Sequence, residues 1–460
     1  MSAEAEAWLD AHEAEGIDTI TAFCRIPSLS ADPAHVPDIA AAAAFVADRL
    51  REAGFERVER VETGGHPCVL AERIEDPALP TVLIYGHYDV QPPDPLEAWR
   101  SPPFEPEVRD DRLYARGAAD DKGPLTVALH ALRALHETEG RLPLNVRVLV
   151  EGEEESGSPH FAPTVERLRE RLACDLVLSA DGAMWRADLP SVTVASRGMV
   201  ALDVRVEGAA KDLHSGRHGG SAPNPVRALV HALAALHDAD GTVTVPGFAD
   251  GLLPPDPAIP AAMRASGFDV GGYFDSIGAE RPDPLPDAEA LLTRQWLVPT
   301  LEFNGISGGY AGAGTKTVIP ASASAKITCR LVAGQEPDRV AAAIEARLRA
   351  AVPSGVRLSV HRHGPGSRAF ALDPDLPGLK VAEDVLEELT GRRPLRVAMG
   401  ATIPIGEVFA RHLGAGCVFF SFATADEDYH APNEFFRLSS FRTGAKAWVR
   451  LLERLPAALG

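Results

Sequence analysis

Three apolar runs, each the length of one buried strand, stop at side chains able to bind a cation. Thr81-Val82-Leu83-Ile84-Tyr85 runs into Gly86-His87, Asn145-Val146-Arg147-Val148-Leu149-Val150 into Glu151, and Asp175-Leu176-Val177-Leu178-Ser179 into Ala180-Asp181. Between the first two lies an apolar stretch with helical spacing, residues 124–136. Strand, helix, strand, helix, strand is the order that builds an α/β fold, a mostly parallel sheet with helices on both faces. In such sheets ligands gather beyond the carboxyl ends of the strands, which is where His87, the acidic run after Val150 and Asp181 fall. Upstream, Trp8, Leu9, Ile17, Ile20 and Phe23 recur at helical spacing, and residues 40–50 form an Ala-rich amphipathic helix ended at Gly54.

The pattern changes near Ala195. Residues 199–206 alternate apolar and polar, followed by a helix over 225–236, a long Pro- and Gly-rich excursion, strands over 298–303 and 323–331, a helix over 337–350 and a strand over 356–361. That order predicts a smaller α+β domain with an antiparallel sheet. After Gly364-Pro365-Gly366 come a helix over 379–389 and an apolar strand, Cys417-Val418-Phe419-Phe420-Ser421-Phe422, leading to His430. The smaller domain, 196–364, is therefore expected to be inserted between the two parts of the larger one, 1–195 and 365–460.

At 460 residues the chain is too long for one ordinary core, which agrees with two unequal domains. With 65 acidic against 45 basic side chains the net charge is -20, which repels phosphate backbones and anionic bilayers. No nucleic acid and no membrane are expected as partners. The start, Met1-Ser2-Ala3-Glu4, lacks the basic residues and apolar core of a secretory leader, and no apolar run reaches the ~20 residues of a membrane span, so a cytoplasmic protein is expected. Five scattered cysteines, with no Cys-x-x-Cys pair, read as reduced core residues.

Six separated segments carry the chemistry: Gly86-His87-Tyr88-Asp89, Gly117-Ala118-Ala119-Asp120-Asp121-Lys122-Gly123, Glu151-Gly152-Glu153-Glu154-Glu155-Ser156-Gly157-Ser158, Ala180-Asp181-Gly182, Asp212-Leu213-His214-Ser215-Gly216 and Tyr429-His430-Ala431-Pro432-Asn433-Glu434. Carboxylates with a few imidazoles and no thiolate suit a hydrolytic metal site rather than a structural one. Taken singly, a loop His-x-Asp caps a turn and an acidic run is a solvated face. Their joint occurrence at strand ends reverses that reading.

In their order along the chain these segments resemble the M20 family of metallopeptidases, and within it the dipeptidase branch that includes carnosinases and bacterial dipeptidases. The resemblance implies a di-metal catalytic domain carrying an inserted, smaller ferredoxin-like domain for lid and dimer contacts. It implies two divalent ions, zinc first with manganese or cobalt as alternatives, bridged by Asp120. His87 and Asp181 complete one ion, and Glu155 and His430 the other. Asp89 is expected to accept the second imidazole N–H of His87. Asp121 is either a turn residue or the second member of the cis peptide that the family has here. Aligned to the family, the acidic run places the general base at Glu154 and the ligand at Glu155, with Glu153 competing for the base. Glu154 would move a proton from the ion-bridging water to the leaving amine.

The inserted domain supplies further candidates through the same resemblance. His214 is a surface histidine or, as in the family, the residue that stabilises the oxyanion in the partner subunit's site, which requires a homodimer. Thr317 and Arg330 resemble the residues that hold a substrate carboxylate, although Arg330 is equally placed for an exposed strand position. Thr402, in Gly400-Ala401-Thr402-Ile403-Pro404, stands where related dipeptidases have Ser.

Gly305-Ile306-Ser307-Gly308-Gly309 matches a serine nucleophile elbow, but Tyr310-Ala311-Gly312-Ala313-Gly314 is a poor helix and the segment reads as a loop over the cleft. Gly314 precedes Thr315 rather than Lys, so no phosphate loop forms. The expectation is hydrolysis of dipeptides with a free carboxylate. The alternatives are a deacylase of N-acyl amino acids, of the acetylornithine or succinyl-diaminopimelate type, and, more distantly, a binding protein on the same fold.

Overall fold

The computed structural model describes residues 2–460; Met1, the first residue of the N-terminal stretch read above, lies outside them. The chain forms two compact units. One contains the residues up to Val194, then Leu372–Val397 and Val408–Gly460, and the other contains Ala195–Ala371 and Ala398–Glu407. The second unit thus ends seven residues beyond the expected 364, and it reclaims a short segment, 398–407, that carries Thr402.

The first unit is built on a six-stranded sheet in the order Arg57–Val61, Cys68–Arg73, Asn145–Glu151, Thr81–His87, Leu176–Ser179, Cys417–Phe419. The last four strands are parallel and the first two antiparallel, so the sheet is mixed, with a hairpin at one edge. Register brings the site together: His87 lies opposite Glu151, and Tyr85 opposite Ser179, two residues before Asp181. Alternation along Thr81–His87 points successive side chains to opposite faces. Tyr85 meets the rings of Phe161 and Phe409 at 5.4 and 5.6 Å. A Cβ on Gly86 would meet Asp121 Oδ2 at 2.7 Å and Leu125 Cδ1 at 3.0 Å, so the helix Lys122–Glu139 covers the other face. Helices on both faces follow.

Apolar residues alone do not continue a strand. The expected run to Phe422 pairs only as far as Phe419, because Phe420 and Phe422 are taken up in packing, Phe420 against Trp448 of the helix Leu438–Leu459.

His130, on the helix Lys122–Glu139, is 6% exposed, and its Nε2 has no hydrogen-bond partner. Trp8 and Phe441 lie against the ring at 5.2 and 5.4 Å. Burial, aided by Arg133 and His12 and opposed by Glu15, lowers its pKa to about 4. The unfolded chain, with His near 6.5, therefore binds the extra proton between pH 6.5 and 4, and stability falls as pH falls through that window. His130→Leu is expected to remove about 2 kcal/mol of the stability difference between pH 7 and pH 4.5, read by urea unfolding at each pH. An unchanged difference would show that His130 is not the group being protonated.

The second unit has a four-stranded antiparallel sheet in the order Thr300–Gly308, Ser322–Leu331, Gly198–Glu207, Arg357–Arg362. Val200, Leu202, Val204 and Val206 alternate onto one face. There they meet Ala228, Leu229 and Ala232 of the helix Pro225–Ala234 and Val340, Ile344 and Leu348 of the helix Pro337–Ala351. Gly305–Gly308 is not a loop: Gly305, Ile306, Ser307 and Gly308 pair with Lys326, Ala325, Ser324 and Ala323 after a register shift at Phe303/Gly305. Ser307 Oγ lies 2.9 Å from Ser324 Oγ, a cross-strand contact that leaves no nucleophile elbow.

No helix among the described residues is long and apolar enough to cross a membrane. All five cysteines are free thiols.

Candidate metal centre

The five side chains expected to bind metal meet in the first unit. One ligand atom each from His87, Asp120 and Asp181 lie within 4.8 Å of one another, and the same holds for Asp120, Glu155 and His430. Asp120 belongs to both groups, and its two oxygens divide between them. Oδ1 is 3.0 Å from His87 Nε2 and Oδ2 is 2.9 Å from His430 Nε2. His430 Nε2 is also 3.2 Å from Glu155 Oε2.

Each candidate ligand is delivered by a separate local structure. His87 ends a central strand. Asp120 precedes the helix Lys122–Glu139 and is joined to Asp121 by a cis peptide. A Cβ on Gly123 would meet the Ala118 carbonyl oxygen at 2.1 Å, so only glycine lets this helix start so close to the Asp120 loop. His430 lies in the left-handed region, at φ 63°, within a turn closed by Ala431 N–H to Asp428 O at 2.9 Å. Few non-glycine residues adopt that conformation, and His is among those that do so more readily. The small sheet of Glu107–Arg109, Arg112–Tyr114 and Phe435–Arg437 ties the His430 segment to the chain entering the Asp120 loop.

The electrostatics suit a cation. Burial tends to raise Asp120, but His430 and His87 outweigh it and hold the carboxyl well below the usual range. Asp120 and Glu155 raise His430 to about 10. Burial, with Asp120 and Glu155 nearby, raises Asp181 to about 6, and burial followed by Asp120 raises Glu155. Crowded carboxylates that repel one another, with only imidazoles between them, are a donor set that dications would neutralise. Asp121 Oδ2 accepts the His87 N–H at 3.1 Å, while its Oδ1 is buried without a partner.

Asp89 is buried and has two tasks. Its backbone oxygen is the nearer acceptor for His87 Nδ1, at 3.1 Å, with Oδ1 at 3.4 Å. The carboxylate instead takes the N–H groups of Glu154 and Glu155, at 3.2 and 3.0 Å. It therefore orients the glutamate segment as well as the histidine. Glu153 points elsewhere, its carboxylate 2.9 Å from His160 Nδ1. Glu154 is raised well above its ordinary range, by burial first, with His87 opposing and Asp181, Glu155 and Asp120 adding to it.

Gln91, which the motifs above do not include, holds a candidate ligand: its Nε2 donates to Glu155 Oε2 at 2.9 Å and to Glu155 O at 3.1 Å. Its place two residues after Asp89 was the only sign of this.

The second unit makes two groupings of its own. His214 is exposed and paired across from Val318, beside Thr317, whose carbonyl accepts the Ser215 N–H at 3.0 Å. Its Nδ1 accepts from Gly216 N at 3.0 Å, which leaves the ring proton on Nε2. Arg330 is half-buried and donates from Nη1 to Thr402 Oγ1 at 2.6 Å. Arg197, unnoticed in the sequence, fixes the same segment through Nε to Gly400 O and N–H to Ala401 O, both at 3.0 Å. Burial, then the charge of Arg330, lowers Arg197, so two guanidiniums share this neighbourhood.

A carboxylate facing two histidine-containing groups near the ends of parallel strands is a donor set suited to divalent ions. The family model described as peptidase family M20/M25/M40 matches residues 83–454, and the chain belongs to that family of metallopeptidases. It is 29% identical over 463 residues to Cys-Gly metallodipeptidase dug1 of Schizosaccharomyces pombe, covering 97% of each chain. It is 30% identical over 464 residues to a Beta-Ala-His dipeptidase of Rattus norvegicus, covering 96% of this chain and 93% of that one. Among solved structures, a metallo-carboxypeptidase of the family from Sulfolobus solfataricus superposes with a TM-score of 0.85 at 28% identity, over 96% of this chain and 99% of that one.

Proposed function

We propose that this enzyme hydrolyses dipeptides with a free carboxylate, and that the observation carrying the reading is the division of Asp120's two oxygens between the His87 and His430 groups. His87, Asp120 and Asp181 would hold one divalent ion and Asp120, Glu155 and His430 the other, with zinc the first choice and manganese or cobalt alternatives. Such a pair supplies polarisation of the scissile carbonyl and a water acidic enough to attack at neutral pH.

The chain's own groups do the rest. Glu154, steadied by Asp89, takes the proton of the attacking water and delivers it to the amide nitrogen as the C–N bond breaks. His214 of a partner subunit donates to the developing oxyanion, which makes the working form a homodimer. Arg330, oriented by Thr402 and joined by Thr317, grips the substrate carboxylate. The free thiols support a reducing, cytoplasmic setting.

The carboxylate grip has its own test. Arg330→Met is expected to raise KM for Ala-Ala about 10- to 100-fold, the equivalent of one charged hydrogen-bonded contact, and to change turnover of Ala-Ala amide little. Equal losses on both substrates would remove Arg330 from the grip. The substrate class is tested with Ala-Ala, Cys-Gly, β-Ala-His, a tetrapeptide, acetylornithine and succinyl-diaminopimelate. Preference for the dipeptides is expected. Preference for an acyl amino acid would make this a deacylase, and preference for the tetrapeptide a carboxypeptidase.

A further inference from the structure

Four residues beyond His430, the side chain of Glu434 lies fully buried against the loop that ends in Asp120. Its Oε1 accepts the N–H groups of Ala119 and Asp120, at 2.8 and 3.2 Å. Its Oε2 accepts the Gly117 N–H at 2.9 Å and Arg116 Nη1 at 2.7 Å. Glu434's own carbonyl accepts the Ala115 N–H at 3.1 Å. Arg116, 1% exposed, also donates to Pro92 O at 3.3 Å. Asn433 next to it pins a second loop, accepting from Arg100 N at 2.8 Å and donating to Ala98 O at 2.9 Å.

Burying a carboxylate and a guanidinium is costly, and an apolar pair of the same volume would hold two segments together as well or better. What apolar packing cannot do is gather backbone N–H groups of one short loop onto two oxygen atoms. That concave set of donors needs an anion at its centre, and it fixes the loop at the residue whose carboxylate faces both histidines. Neither Glu434 nor Arg116 is among the five ligands or is the base.

We propose that Glu434 is the positioning residue for the shared ligand: it locks the loop 116–120 so that Asp120 presents one oxygen to each metal group, and it couples that loop to the segment that supplies His430. The inference rests on the two-ion reading above but not on the identity of the substrate. It has a signature that a general stabilising role lacks. Because Asp120 serves both ions, loosening its loop weakens both. Loosening Gln91, whose side-chain amide donates to Glu155, weakens one.

Glutamine at 434 keeps the shape but turns one oxygen into a donor facing other donors. The test is calorimetric titration of metal-stripped wild type, Glu434→Gln and Gln91→Leu with zinc, alongside circular dichroism and melting of the stripped proteins. Wild type is expected to bind two ions. Stripped Glu434→Gln is expected to be folded, with both dissociation constants raised about 10- to 100-fold, the usual cost of losing an outer partner of a metal ligand. Its kcat should return at saturating zinc. Gln91→Leu should raise one constant only. Wild-type constants in a folded Glu434→Gln, or loss at one ion alone, would overturn the inference. So would a stripped Glu434→Gln that is unfolded, since the buried pair would then serve folding. Fewer than two ions on the wild type would overturn the two-ion reading, and this inference with it.

Discussion

Glu154→Ala is expected to lower kcat for a dipeptide about 1,000-fold while two ions still bind per chain, the loss typical of removing a positioned general base. The Glu154 carboxyl feels the charges of His87, Asp181, Glu155 and Asp120 without being one of the five candidate ligands. Its backbone is fixed by Asp89, so truncating the side chain leaves the segment and Glu155 in place. The matching change at Glu153 should cost little, because that carboxylate is engaged with His160. Metal analysis with single-turnover rates on Ala-Ala checks both variants. Near-normal turnover by Glu154→Ala would show that another group carries the proton.

Asp120→Ala has the larger consequence. Removing the shared carboxylate leaves each group of ligands with two protein donors, and the two histidines lose their common acceptor. Both ions should bind more than about 100-fold more weakly, beyond the cost of losing an outer partner, and turnover should be lost at ordinary metal concentrations. Unlike Glu154→Ala, this variant should lose metal and activity together. Retention of one tightly bound ion would mean that the two groups are independent sites.

Much of this site was legible because strand ends are. A buried strand must stop where polar residues begin, so the apolar runs before His87, Glu151 and Asp181 marked the face of the sheet, and the register of parallel strands did the rest. The separation of Glu153 from Glu154 lay in the motif alignment alone; His160, seven residues on, supplies the physical reason. Other features were invisible because they depend on contacts between distant segments. Glu434 lies 314 residues from Asp120, and no local pattern says that its carboxylate will gather that loop's N–H groups. Asp89 was expected to serve the imidazole, and its Oδ1 lies 3.4 Å from His87 Nδ1; that the same carboxylate also takes the N–H groups of Glu154 and Glu155, and that its backbone oxygen is the nearer imidazole acceptor, was not legible. Gly305–Gly309 read as a loop because no helix could follow it, yet Gly305–Gly308 pair with Ser322–Leu331, and long-range pairing overrides the poor strand preference of glycine.

The most direct measurement is Ala-Ala hydrolysis by metal-stripped protein as zinc or manganese is added in known equivalents. Binuclear chemistry at Asp120 requires negligible turnover without metal and a rise that breaks at two ions per chain. Full turnover by the stripped protein, or a break at one ion, would contradict it.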